Sequence, residues 1–249
     1  MKLFSRFFFA AALTAVLSIP AAFAQQSDAD LQASVQKALG NSSFKGVQVS
    51  VQGGEATLTG SVDVYDAKAR ADQKAHHVKG IVGVRNEIQV AGADVPDAQL
   101  QDKLVKAVSY DRVGYGIVFN NLMVGVENGA VTIDGKVRDY SDRSSAIAIV
   151  ETTPGVKDVI DEIDVAPVSN FDDELRVRLA RAIYGHSGFQ KYALDPQAPI
   201  RIIVENGNVE LAGVVLNEGD RQIAYIQANS VPGVFSVRNK LMVASDMRD

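Results

Sequence analysis

The chain contains no cysteine, so neither a disulfide nor a lipid-modified N-terminal cysteine can hold or anchor it. Its stability has to come from packed cores. Histidine is nearly as scarce, with His76, His77 and His186 the three in 249 residues. His76 and His77 are neighbours on an expected helix, about 100° apart around its axis, and cannot form one site together. His186 lies in Gly-His-Ser-Gly-Phe, with no His-Glu-x-x-His spacing, nucleophile elbow or cysteine partner. No glycine-rich turn opens a helix in the way a phosphate cradle requires. The acidic stretch Asp158, Asp161, Glu162 and Asp164 runs along an expected strand, whose side chains alternate between faces, and lacks calcium-loop spacing. It reads as a solvated acidic strand. We therefore expect no catalysis, no cofactor and no metal. A basic excess is missing too: the formal charge is −5, and −7 once Lys2 and Arg6 are removed, which does not suit a general nucleic-acid binder.

Long apolar runs are confined to the first residues. Residues 1–24 combine cationic Lys2 and Arg6, an apolar run from Phe7 to Ile19, Pro20, and Ala22 and Ala24 at cleavage spacing. This is a secretory signal peptide with Gln25 as the expected new N-terminus. The run is short for a spanning helix, which argues against an uncleaved anchor.

What the chain has instead is repetition. Gly60 and Gly80, Gly135 and Gly155, and Gly213 and Gly233 are three pairs with the same separation. Between and after them fall Ala71, Ala146 and Ala224; basic Lys68, Arg143 and Arg221; and polar Asn86, Asp161 and Asn239, all in register. Three homologous modules follow, at 25–93, 96–167 and 170–245. Each opens with apolar residues at helical spacing: Leu31, Val35 and Leu39; Leu100, Leu104 and Val108; Leu175, Leu179 and Ile183. Two alternating runs flank a tight turn at Gly53-Gly54, Asn128-Gly129 and Asn206-Gly207, residues that tolerate the positive φ of a type I′ hairpin. A second helix begins near Asp63, Asp139 and Asn217, each followed by a first-turn aspartate. A last strand returns by a crossover and should lie parallel to the strand it left. The fold class is α+β, three tandem αββαβ units, each a small three-stranded mixed sheet packed against two helices. Gly60, Gly135 and Gly213 are expected to end the second strand at a close approach. Asn86, Asp161 and Asn239 are expected to bond nearby backbone and fix the last strand, ligand contact being the other reading. Proline in the linkers Ala-Gly-Ala-Asp-Val-Pro and Ala-Pro-Val-Ser-Asn suggests limited hinges, and an isolated third module is expected to fold alone.

The pattern Gly-x-Val-x-Leu-x-Gly-x-Val, a helix with central alanine, then Gly-Val-x-x-Val-x-Asn-x-Leu resembles the BON domain, named for bacterial osmotically induced and nodulation proteins. The match is fullest in GNVELAGVV and VPGVFSVRNKL, good in GEATLTGSV and VKGIVGVRNEI, and weaker in GVKDVIDEI, where Asp161 replaces asparagine. The resemblance implies a periplasmic envelope protein, not a lipoprotein, that associates with phospholipid membranes in osmotic or envelope stress. It supplies no catalytic residues. Related proteins acting as periplasmic chaperones give the alternative: a soluble holdase or interaction adaptor for unfolded or envelope proteins. Two modules are the common arrangement, and the third departs from it.

A membrane contact should pair basic side chains with aromatics at headgroup level. Arg176, Arg178, Arg181, Tyr184, Phe189, Lys191 and Tyr192 form the best candidate lipid-binding segment, and its module has balanced charges, whereas residues 95–169 carry five more acids than bases. Anionic lipid should therefore prefer the third module. A weaker candidate is Lys103, Lys106, Tyr110, Arg112 and Tyr115. The competing reading makes the arginines a solvated helix face and the aromatics plugs of the module core.

Overall fold

A computed structural model describes residues 26–110, 118–194 and 200–246, so the leader at 1–24, Arg112 and Tyr115 lie outside the described residues, as does the side chain of Tyr110. Module 1 runs α1 (Asp28–Ala38), β1 (Val47–Gln52), β2 (Glu55–Val62), α2 (Tyr65–His76), β3 (Gly83–Asn86) and β4 (Gln89–Val90). Module 2 follows with α3 (Asp97–Tyr110), β5 (Asn121–Glu127), β6 (Ala130–Val137), α4 (Tyr140–Thr152) and β7 (Asp158–Val165). Module 3 has α5 (Asn170–Tyr184), the short α6 (Gln190–Ala193), β8 (Arg201–Glu205), β9 (Asn208–Ala212), β10 (Val214–Val215), α7 (Glu218–Asn229), β11 (Ser236–Asn239) and β12 (Met242–Val243).

In every module the second strand is central. It pairs antiparallel with the first and parallel with the last, as the crossover demands. The hairpins turn where the residues allow it: φ is positive at Gly53, Gly54, Asn128, Gly129, Asn206 and Gly207. Every apolar residue expected on the first helices is buried, Leu31 to Ile183. Ala71, Ala146 and Ala224 are fully buried, so the second helix approaches the sheet at a residue with almost no side chain.

Three details differ from expectation. Gly60 and Gly135 lie inside β2 and β6, and Gly213 separates β9 from β10, so these glycines kink the second strand rather than end it. At Gly60 and Gly135 φ is +102° and +121°, and a Cβ would run into the carbonyl of Gly46 or Asn121 on the partner side. Past the kink, β2 pairs in parallel with β4, and one bond, from the Ser61 N–H to the Gly46 carbonyl, remains on the other side. Second, α2 is capped at Val64, with no side-chain bond, whereas Asp139 and Asn217 accept from the N–H groups of Asp142 and Asp220. Third, the linkers are docked: Asp94 bonds Lys157 at 3.1 Å, Val95 packs on the module 2 core, and Ala166 donates to the Val137 carbonyl.

The repeated polar position has its structural explanation. Asn86 and Asn239 donate to the carbonyls of Lys68 and Arg221 at 3.0 and 2.9 Å while accepting from Ile88 and Leu241. An aspartate cannot donate. At Asp161 the helix side chain answers instead, Arg143 reaching the carboxylate at 2.6 Å. A further repeated device ties helix to hairpin: the carboxylates of Asp28, Asp97 and Asp172 each accept both N–H groups of their module's turn, at 2.7–3.0 Å.

The modules touch. Tyr65 of α2 packs on the module 2 core. Phe119, just before β5, is buried in the core of module 3 rather than that of its own module.

Candidate membrane-facing surface

The segment expected to meet lipid begins with α5, capped by Ser169, which accepts from the Asp172 N–H. The helix buries Leu175, Leu179 and Ile183 together with Asp172 and Arg176. Arg176 is 3% exposed; its guanidinium spans the Asp173 carboxylate at 2.6 Å and the Val204 carbonyl at 2.7 Å. It ties helix to sheet. Phe189 and Tyr192 are 1% and 4% exposed and belong to the core. The Tyr192 hydroxyl donates to Asp220 and accepts from the Leu216 N–H at 2.9 Å. Tyr184 is half-buried and donates to the Ile200 carbonyl at 2.5 Å, and burial pushes its hydroxyl well above the ordinary tyrosine range.

These placements correct the lipid assignment for Arg176, Tyr184, Phe189 and Tyr192, whose polar atoms and rings face inward. The connection from first helix to first strand is longer in module 3 than in module 1, and its aromatics Phe189 and Tyr192 fill the core as Phe44 does in module 1. Lys191 stays exposed but bonds Asp220 at 2.7 Å. That bond raises the Lys191 pKa; at Asp220, burial opposes ionisation, but Lys191 and Tyr192 more than offset it and hold the carboxyl below its usual range. Arg181 is exposed on α5, and Arg178 is half-buried, 3.6 Å from Glu174. In module 2, Lys103 and Lys106 are exposed on α3.

The aromatics that are exposed lie elsewhere. Phe171, in the first turn of α5, and Phe235, before β11, are 44% and 73% exposed, and their rings stack with centroids 6.2 Å apart. Val168, three residues before Phe171, is 94% exposed. A sequence signal existed: by the repeat, Phe235 corresponds to Val82 and Lys157, each of which covers the glycine at the second position of its module's hairpin turn.

The remaining candidates have structural work. His76 pairs with Asp72, His77 bonds the Gln73 carbonyl, and His186 caps the turn at Gly188. Asp158, Glu162 and Asp164 are exposed along β7, and no group of acidic or histidine residues among the described residues is arranged to hold a metal ion. A polar cleft of about 650 Å³ lies between the open sheet faces of modules 2 and 3, lined by Met123, Asp134, Lys136, Glu205, Glu210 and Arg238. Much of its charge is internally paired, Lys136 with Glu205 and Lys240 with Glu210. No described helix is long and apolar enough to cross a membrane.

Among solved structures, the chain is similar to the C-terminal domain of CdsD, a structural protein of the type III secretion system of Chlamydia trachomatis, at 14% identity over 86% of this chain and 96% of that one, with a TM-score of 0.25. A second CdsD structure gives 15% identity, 88% and 95% coverage, and the same TM-score. At that TM-score the likeness says nothing about function. No curated protein matches the chain. The BON domain, in contrast, matches three stretches, residues 27–92, 96–167 and 172–245, which span most of the sequence and coincide with the three repeated sheet-and-helix units. The chain belongs to the BON domain family, as a protein of three tandem BON domains.

Proposed function

We propose that this protein is a non-catalytic periplasmic component of the cell envelope, exported by its leader, that associates with anionic phospholipid membranes during osmotic or envelope stress. The observation that carries the reading is the family itself: BON domains are linked to phospholipid binding and to osmotic and envelope stress, occur in periplasmic proteins and are generally non-catalytic. Charge supports the choice of module. Module 2 carries five excess acids and is repelled by an anionic surface, while module 3 is balanced and presents Arg181 to solvent, with Arg178 half-buried beside it.

Surface attraction contributes about 1 kcal/mol per basic residue, so electrostatics alone gives weak binding. Flotation of the mature protein with phosphatidylglycerol and phosphatidylcholine vesicles tests the reading. It should float with the former and less with the latter, and its flotation with phosphatidylglycerol vesicles should fall as salt shortens the Debye length from about 10 to about 3 Å. No flotation with anionic vesicles refutes it. The holdase reading is favoured by the open face of module 2, where Met123 on one edge strand, β5, and Ile160 on the other, β7, are exposed. Suppression of client aggregation without flotation would select it.

A further inference from the structure

We infer that the end of module 3 built by the start of α5, the hairpin turn at Asn206-Gly207 and the loop before β11 is a membrane-inserting tip. Phe171, Phe235 and Val168 enter the headgroup region of an anionic bilayer, and Arg181 meets lipid phosphate. The inference rests on the membrane reading above and adds the surface that docks.

The first argument is exposure. Of the five described phenylalanines, Phe44, Phe119 and Phe189 are at least 96% buried, while Phe171 and Phe235 are exposed and stacked on each other. Two stacked rings held in water at one spot form an apolar patch rather than scattered surface residues, and Val168, immediately before the Ser169 cap of α5, is 94% exposed.

The second is rigidity. Phe235 donates its N–H to the Gly207 carbonyl at 2.9 Å and lays its ring over that glycine, where a Cβ would fall 2.6 Å from ring carbon Cδ2. Phe171 precedes Asp172, whose carboxylate takes both turn N–H groups at 2.8 Å. Both rings are thus fastened to the same turn, which lowers the ordering cost of docking.

The third is charge. The acids of the first turn of α5 are engaged within the module: Asp172 by the turn, Asp173 by Arg176 and Glu174 by Arg178. Arg181 makes no ion pair among the described residues and shares a helix stripe with Phe171, Glu174 and Arg178. Module 1 has Val82 in place of Phe235, and module 2 has Lys157 held by Asp94, so the aromatic pair is particular to module 3.

A bilayer fits this patch better than a protein partner. Two rings and a valine fall far short of the ~1,200 Å² that a stable protein interface buries, whereas shallow insertion of aromatics beside cations needs only such a patch. Binding then keeps a component that salt does not remove.

The chain has no tryptophan, so Phe235→Trp introduces a single indole reporter. With phosphatidylglycerol vesicles its emission should shift to the blue and be quenched by brominated acyl chains. Leu194→Trp, at an 84% exposed site near the opposite end of β9, should keep a water-exposed spectrum. Phe171→Ser with Phe235→Ser, folded by circular dichroism, should bind anionic vesicles about tenfold more weakly at high salt, the loss expected from removing two inserted rings. Wild-type flotation with an unshifted Phe235→Trp spectrum, or a double variant that binds like wild type, overturns the tip and leaves the membrane reading standing. A shift that needs no vesicles and follows protein concentration overturns it in favour of a second copy of this chain. Wild type that does not float removes both.

Discussion

Phe119 belongs to module 2 by sequence and to module 3 by packing, and replacing it with alanine should loosen module 3 rather than its own module. The ring is 4% exposed among side chains that include Leu175, Ile183 and Phe189, and the next residue, Asn120, is also buried and accepts from the Arg138 N–H at 2.9 Å. Truncating a core phenylalanine costs about 3–5 kcal/mol. Because this ring arrives from another module and its site can partly close by a shift between modules, the lower end, about 3 kcal/mol, is expected. That is roughly a hundredfold in an opening equilibrium, and native-state hydrogen exchange resolves it by segment. Amides of β8 and β9 should exchange roughly a hundredfold faster in Phe119→Ala, while those of β1 and β2, whose core is separate, keep their rates. A fragment of residues 168–245 lacks the ring altogether, so its β8 and β9 amides should match the variant rather than wild type. Unchanged exchange in β8 and β9, or an equal rise in all three modules, would refute the reasoning.

Two further outcomes follow from the repeated devices. Asp172→Ala leaves two turn N–H groups without an acceptor in a buried setting and should lower the stability of module 3 by about 3 kcal/mol in urea titration, whereas Asp28→Ala, at a more exposed turn, should cost about 1 kcal/mol. Arg143→Ala strips Asp161 of its cationic partner, leaving the Ile163 N–H, and should cost about 1–2 kcal/mol; adding Asp161→Asn should restore most of the loss, because asparagine can donate to the helix carbonyl as Asn86 and Asn239 do. A double variant no more stable than Arg143→Ala would show that the asparagine bond cannot form in module 2.

How much of this was legible depended on whether chain spacing was constrained. From the kink glycine through the second helix to the last strand, no insertion intervenes, so Gly60, Ala71 and Asn86 recur in register and reveal the crossover, the buried helix face and the helix-to-strand bond. The clamp of Asp28, Asp97 and Asp172 is as regular in space, but it joins groups 25, 31 and 34 residues apart, because the connection from first helix to hairpin differs in each module. Spacing could not show it. The same variable connection misled the site assignment, since a Phe or Tyr after an amphipathic helix reads alike whether it turns to lipid or to the core; only packing decides. Yet the repeat held a clue: Asn-Ser-Ser-Phe in module 1 and His-Ser-Gly-Phe in module 3 form the same short 3₁₀ turn, each ending in a buried phenylalanine, so Phe189 could have been assigned inward from Phe44. Conversely, Phe235 occupies a repeat position filled by Val82 and Lys157, and a site that accepts lysine in one copy faces water in all three. A phenylalanine there is exposed by the fold rather than required by it, which is why that ring, and not the buried aromatics after α5, is the one free to meet a membrane.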